Sequence, residues 1–123
     1  MSAIFVQRAL SYCLGVGSIS LLGSRRRPWL QIVRPETEKV YLNYQLKQLR
    51  LAHSGPLEYF WDVIPTDGFY DKTRLRVRGE DLHRAYALMY PRDKKIITPQ
   101  VMSICGIEGL TALWSDRGQI GRA

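Results

Sequence analysis

The segment Thr73-Arg74-Leu75-Arg76-Val77-Arg78 alternates basic and apolar residues. Because successive side chains of a β-strand point to opposite faces of a sheet, this alternation predicts a strand. Leu75 and Val77 then face a core of packed helices, and the opposite face carries Arg74, Arg76 and Arg78. Neighbouring guanidinium groups repel each other, so the pattern also predicts a negative partner for that face.

Two kinds of negative partner remain open for the arginine face. Residues 57–64 also form a predicted strand, in which Glu58 and Asp62 lie on one face. Cross-strand ion pairs with these acids would compensate the arginines inside the sheet. Alternatively, the face follows the phosphate backbone of a nucleic acid.

The remaining elements are predicted from periodicity and from Gly and Pro positions. Helices are expected at 3–14, from 36 or 37 to 51, from about 80 to 89, and from 108 to 115. Strands are expected at 29–34, 57–64 and 73–78, with a possible strand at 17–23 and an extended segment at 94–98. In the second helix the predicted apolar stripe consists of Val40, Leu42, Tyr44, Leu46, Leu49 and Leu51. This order predicts an α+β fold, a mixed or antiparallel sheet with helices packed on one face.

Composition limits the possible classes of protein. The 123 residues predict one domain spanning 1–123, and 46% hydrophobic residues exclude wholesale disorder. Ser, Gly and Arg interrupt every apolar stretch well before about 18 residues, which excludes a membrane-spanning helix. No membrane partner is expected. The two cysteines, Cys13 and Cys105, are predicted to be reduced and buried, and with His53 and His83 they give no zinc motif.

Charge gives the first indication of a partner. Eighteen Lys and Arg against eleven Asp and Glu leave a net charge of +7, which favours a polyanionic partner. The chain has no acidic residue before Glu36, although it already contains arginines and several serines. Such an N-terminus resembles an organelle transit peptide, so an organelle is the expected location, a mitochondrion rather than a chloroplast.

The candidate nucleic-acid contacts lie on the arginine strand and on nearby loops and strands. Aromatic residues at Trp29, Tyr59 and Trp61 are candidates for stacking on bases, although they suit a core equally well. The polar candidates are Arg25, Arg26, Arg27, Gln31, Arg34, Lys72, Arg74, Arg76, Arg78, Lys94 and Lys95.

Two stretches resemble the LAGLIDADG homing endonucleases, particularly the branch found in organelle introns and phages. One is 10–19, LSYCLGVGSI, and the other is 90–99, YPRDKKIITP, followed by 110–118, LTALWSDRG. The resemblance implies a four-stranded sheet that lies on DNA. It also implies two central helices in contact through small residues such as Ser11, Gly15 and Ala112. In that family, acids at the ends of these helices bind the divalent metal ions that hydrolyse DNA.

The two positions that correspond to these acids hold Val16 and Arg117. A valine supplies no oxygen ligand and an arginine carries a positive charge, so neither binds a hard cation. Asp116 precedes the second position by one residue, about 100° away around a helix. We therefore expect no catalytic residue, no metal ligand and no cofactor.

The resulting function prediction is an inactive LAGLIDADG-like protein that binds RNA or DNA. Its expected role is a structural RNA-binding subunit of a ribonucleoprotein such as an organellar ribosome. One alternative is a homing endonuclease that cleaves DNA with Mg²⁺. Another is a structural subunit with a protein-contact face formed by Trp29, Tyr59, Trp61 and Trp114.

Overall fold

A four-stranded antiparallel sheet, in the order β1-β2-β4-β3, organises the described part of the chain. The computed structural model describes residues 2–65 and 71–107. The elements in chain order are α1 (Ser2–Leu14), β1 (Gly17–Leu22), β2 (Arg27–Pro35), α2 (Lys39–Ala52), β3 (Glu58–Ile64), β4 (Lys72–Arg78) and α3 (Leu82–Met89). A 3-10 turn, Glu36–Glu38, precedes α2, and a further helix, α4, occupies 99–107. The predicted α+β class is confirmed.

The core lies between one face of the sheet and the helices. Leu30, Ile32, Leu75 and Val77 are completely buried on that face. These four residues form one hydrophobic cluster with buried residues of α1, α2 and α3, among them Phe5 of α1. The alternation that was predicted for 73–78 is therefore confirmed, because Leu75 and Val77 face inward and the arginines between them face outward. Burial of this apolar surface is the main favourable contribution to folding.

The predicted apolar stripe of α2 is wrong in half of its members. The structure buries Leu42, Leu46 and Leu49 together with Gln45 and Ala52. By contrast, Val40, Tyr44 and Leu51 are exposed by 82%, 54% and 70%. Residues two apart on a helix are separated by about 200° around its axis, so a pattern of alternating apolar residues cannot share one face.

The structure contains a helix at residues 99–107 that the sequence pattern did not predict. Residues 94–98 form no strand, and α4 starts at Pro99. The backbone N–H of Val101 donates to Thr98 Oγ1 at 3.1 Å, which caps this helix. A Thr-Pro pair is a helix-start signal, because Pro suits the first helical position. The predicted Asp67-Gly68 turn and the predicted helix at 108–115 lie outside the described residues.

No helix within 2–65 or 71–107 combines the length and the apolar character needed to cross a bilayer.

Gly17 is required where β1 starts against the end of α1. A Cβ atom at this position would lie 2.8 Å from the backbone oxygen of Tyr12, too close for either backbone to adjust cheaply. We expect Gly17→Ala to lower the free energy of unfolding by about 1–3 kcal/mol. Gly55→Ala is the matched control, because no atom lies within 4 Å of its added Cβ. Equal urea midpoints for the two variants would contradict this role of Gly17.

Cys13 and Cys105 are both buried and form no disulfide, as predicted. Burial raises the pKa of the Cys13 thiol to about 12, so the reactive thiolate is scarce at neutral pH. We expect neither thiol of the native protein to react with Ellman's reagent at pH 8. Both thiols should react once guanidinium unfolds the chain. Rapid reaction in the native protein would show that the core is open, at α1 if Cys13 reacts and at α4 if Cys105 reacts.

Candidate nucleic-acid interface

The sheet face that turns away from the described helices is called the open face here. The strand register aligns Ser18, Gln31, Arg76 and Phe60 in one row across it. Five basic side chains lie on this face against two acidic ones, which leaves three positive charges. Its members are Ser18, Ser20, Leu22, Arg27, Trp29, Gln31, Val33, Glu58, Phe60, Asp62, Ile64, Lys72, Arg74, Arg76 and Arg78.

Two of the three strand arginines form ion pairs with acids of β3. Arg74 donates to both carboxylate oxygens of Asp62, with its Nε 2.9 Å from Oδ1. Arg78 donates to Glu58 at the other end of the strand. The hydrogen bond from Arg74, reinforced by its charge, lowers the pKa of the Asp62 carboxyl. Compensation inside the sheet, one of the two alternatives left open by the sequence, is therefore correct for Arg74 and Arg78.

Arg76 lies between these two pairs and has no acid opposite it. Its cross-strand neighbours are Gln31 on β2 and Phe60 on β3. Its Nε is buried and forms no hydrogen bond with the described residues. A buried N–H without a partner is costly, and most such groups in folded proteins are paired. Arg76 is thus held by packing and forms no ion pair with a described residue, although its charge is near enough to Asp62 to help lower the pKa of that carboxyl. A basic side chain of the open face without such an ion pair is called uncompensated below.

Aromatic side chains cover β4 on the open face. The rings of Trp29 and Phe60 meet across the strand with their centroids 5.5 Å apart. The Arg78 guanidinium lies over the Trp29 ring at 5.3 Å from its centroid. This arrangement combines apolar surface with positive charge, which is the composition of surfaces that stack unpaired bases.

The stacking candidates Tyr59 and Trp61 do not lie on the open face. They pair with Val77 and Leu75 on the side of the helices, where Trp61 packs against the core. The aromatic residue of β3 on the open face is Phe60, which the sequence interpretation did not single out. Its position between Glu58 and Asp62, two residues from each, was the available signal, because residues two apart share a face.

The structure places Arg34 on the helix-covered face, away from the other candidates. Its side chain is 4% exposed, and its Nε donates to Gln45 at 3.0 Å while its Nη1 donates to Glu38 at 3.0 Å. The guanidinium also lies 4.4 Å from the centroid of the Tyr41 ring. Arg34 lies on the same face of β2 as Leu30 and Ile32, so it points inward. It binds Glu38 of the 3-10 turn and Gln45 of α2 rather than an external anion.

The other predicted residues divide between the open face and its surroundings. Arg25 and Arg26 are exposed in the turn between β1 and β2. This turn is tight, because Gly23 and Arg26 have φ angles of 81° and 50° and the Arg26 N–H donates to the Gly23 carbonyl. The remaining open-face candidates are Arg27, Gln31 and Lys72. Lys94 and Lys95 lie in the loop after α3, and Lys95 Nζ donates to the carbonyl of Gly17 at 2.9 Å.

Val16, which the sequence resemblance sets at the place of a metal-binding acid, packs against the core between α1 and β1. Within 2–65 and 71–107, no three His, Cys, Asp or Glu residues cluster in a way that could hold a metal ion. Asp116 and Arg117 lie outside the described residues.

A comparison with solved structures found a similar path of the backbone in another protein. No family model and no curated protein match this chain. A solved structure of variants of the homing endonuclease I-DmoI is similar, with a TM-score of 0.46 and 13% sequence identity. The match covers 94% of this chain but 58% of that one, so this chain spans less than two thirds of the neighbour's length.

Proposed function

We propose that this protein binds nucleic acid through the open face and does not hydrolyse it. The observation that carries the proposal is Arg76, an uncompensated guanidinium group beside the half-buried ring of Trp29 and the exposed ring of Phe60, on a sheet face without described helices. Affinity for nucleic acid comes chiefly from Lys and Arg that neutralise phosphates and release their counterions.

Arg27 and Lys72 extend the positive charge of Arg76 to the two ends of the face. Neither forms an ion pair with a described residue, whereas Arg74 and Arg78 do. The exposed Arg25 and Arg26 continue the charge into the turn beside Arg27. The three uncompensated cations are therefore the expected phosphate contacts, and the paired arginines shape the surface between them.

The expected nucleic acid is structured RNA, held as a subunit of a ribonucleoprotein such as an organellar ribosome. The overall charge of +7 and the acid-poor N-terminus support this proposal. A basic face with aromatic rings suits RNA, whose loops present unstacked bases beside phosphates.

Binding of an RNA hairpin and of a DNA duplex with the same stem tests the proposal. We expect log K to fall linearly with the logarithm of the salt concentration for at least one of them, measured by fluorescence anisotropy from about 50 to 300 mM KCl. Nuclease-sensitive nucleic acid that co-purifies with the chain would support the same conclusion. Absence of binding to both probes at 50 mM salt would overturn it.

The second candidate, a metal-dependent endonuclease, is separated by a cleavage assay. We expect no specific cut in plasmid or genomic DNA with Mg²⁺ or Mn²⁺, because Val16 and Arg117 occupy the positions of the family acids. Asp116→Asn is the control for a displaced ligand. Specific double-strand cleavage that this substitution abolishes would assign the nuclease function instead.

A further inference from the structure

The open face contains a recess beside the uncompensated arginine. An open cavity of about 380 Å³ lies between the β1–β2 turn and the aromatic pair, and is lined by Leu22, Gly23, Trp29, Phe60, Asp62 and Arg76. Small-molecule sites range from about 300 to 1,000 Å³, so this recess is of a size for one small planar group. Its apolar wall is the Trp29–Phe60 pair, and its polar groups are Asp62 and Arg76.

The two polar groups offer opposite hydrogen-bonding capacity. Arg76 supplies only donors, and its buried Nε forms no hydrogen bond with a described residue. Asp62 supplies only acceptors: its Oδ2 accepts from both Nε and Nη2 of Arg74, whereas its Oδ1 accepts from Nε alone and keeps a further lone pair. A ligand that matches this pair must present acceptors on one edge, donors on another, and a flat apolar surface for Trp29 and Phe60.

We infer that the recess binds an unpaired guanine base, a role that rests on the proposed nucleic-acid binding. Guanine presents O6 and N7 as adjacent acceptors, and arginine donates to them in two-point fashion. Its N1–H and 2-amino group are donors for the Asp62 carboxylate. Adenine and cytosine carry an exocyclic amino group where guanine carries O6, which places a donor against the Arg76 donors.

The guanine in this recess is outside a double helix. In a Watson–Crick pair, N1–H and the 2-amino group are bonded to cytosine, and both ring faces are covered by neighbouring base pairs. Contact with Asp62 and stacking on Phe60 therefore require a loop, a bulge or a single strand. Bases in such places are commonly stacked on aromatic side chains and read at their edges.

The test uses the full chain and four RNA hairpins that differ at one loop position, which holds guanine, inosine, adenine or no base. We expect the guanine hairpin to bind about 10-fold more tightly than the adenine hairpin, because the wrong base loses a two-point contact. The abasic hairpin should lose about 5- to 100-fold through lost stacking. Inosine lacks the 2-amino group and should lie between guanine and adenine. A DNA hairpin with the same loop guanine shows whether the 2′-hydroxyl adds to binding.

Three variants connect the base preference to the recess. Phe60→Ala should remove most of the difference between the guanine and abasic hairpins, and Phe60→Tyr should retain it. Asp62→Asn should remove the difference between guanine and inosine. Glu58→Gln is the matched control, because Glu58 also pairs with a strand arginine on this face but does not line the recess.

The outcomes separate this inference from the proposed function. Equal affinity for all four hairpins, with the salt dependence retained, would overturn the guanine site and leave nucleic-acid binding in place. Binding of free GMP over AMP that is lost in Phe60→Ala, without binding of any hairpin or duplex, would support the site and overturn the proposed function. A base preference that is unchanged in Phe60→Ala would place recognition elsewhere and overturn the inference.

Discussion

Replacement of Leu49 by alanine is expected to lower the free energy of unfolding by about 2–5 kcal/mol. The Leu49 side chain is completely buried in the contact of α2 with the core. Its truncation removes apolar contacts and leaves a cavity that the packed neighbours fill only in part. Because small domains are stable by about 5–15 kcal/mol, this loss should be visible as a large shift in urea midpoint.

The matched control is Leu51→Ala in the same helix. Leu51 is 70% exposed, so the same change of side chain should alter the free energy of unfolding by less than about 0.5 kcal/mol. Helix propensity cancels between the two variants, since both replace leucine by alanine two positions apart. Similar losses for both would mean that α2 is covered on both faces, contrary to the structure.

Loss of the uncompensated cations is expected to have the largest effect on binding. The triple variant Arg27→Gln, Lys72→Gln, Arg76→Gln removes the basic residues of the open face that lack an ion pair among the described residues. Each lost phosphate contact lowers the salt slope by up to about 0.7–0.9, so the slope should fall by about 2–3. At 0.1 M salt this corresponds to a loss of affinity on the order of 100-fold.

A charge-neutral variant provides the control for that experiment. Glu58→Gln combined with Arg78→Gln removes one ion pair from the same face and leaves its net charge unchanged. We expect its salt slope to stay within about 0.5 of the wild-type value, because a paired arginine is already compensated. Thermal unfolding of both variants checks that the fold is retained. An unchanged salt slope in the triple variant would show that the open face is not the binding surface.

Sequence patterns predicted those elements correctly in which the spacing of apolar residues fits only one period. The strict alternation of 73–78 placed Leu75 and Val77 in the core, and the Gly residues after α1 marked its end. The same reasoning failed for α2, because its many apolar residues fit more than one period. The prediction of Arg34 as a nucleic-acid contact is also wrong, because Arg34 lies on the same face of β2 as the buried Leu30 and Ile32.

The sequence by itself determined that β4 carries three arginines on one side and apolar residues on the other, because a strand alternates faces wherever it lies in a fold. Only the tertiary structure decided which arginine keeps its charge uncompensated. The register of β3 against β4 sets Asp62 opposite Arg74, Glu58 opposite Arg78 and Phe60 opposite Arg76. That register follows from the burial of the shared core face, since a slip of one residue would turn the apolar residues outward. Residues distant in the chain thus determine that Arg76 is the strand arginine without an ion pair. No pattern within 73–78 distinguishes Arg76 from Arg74 and Arg78.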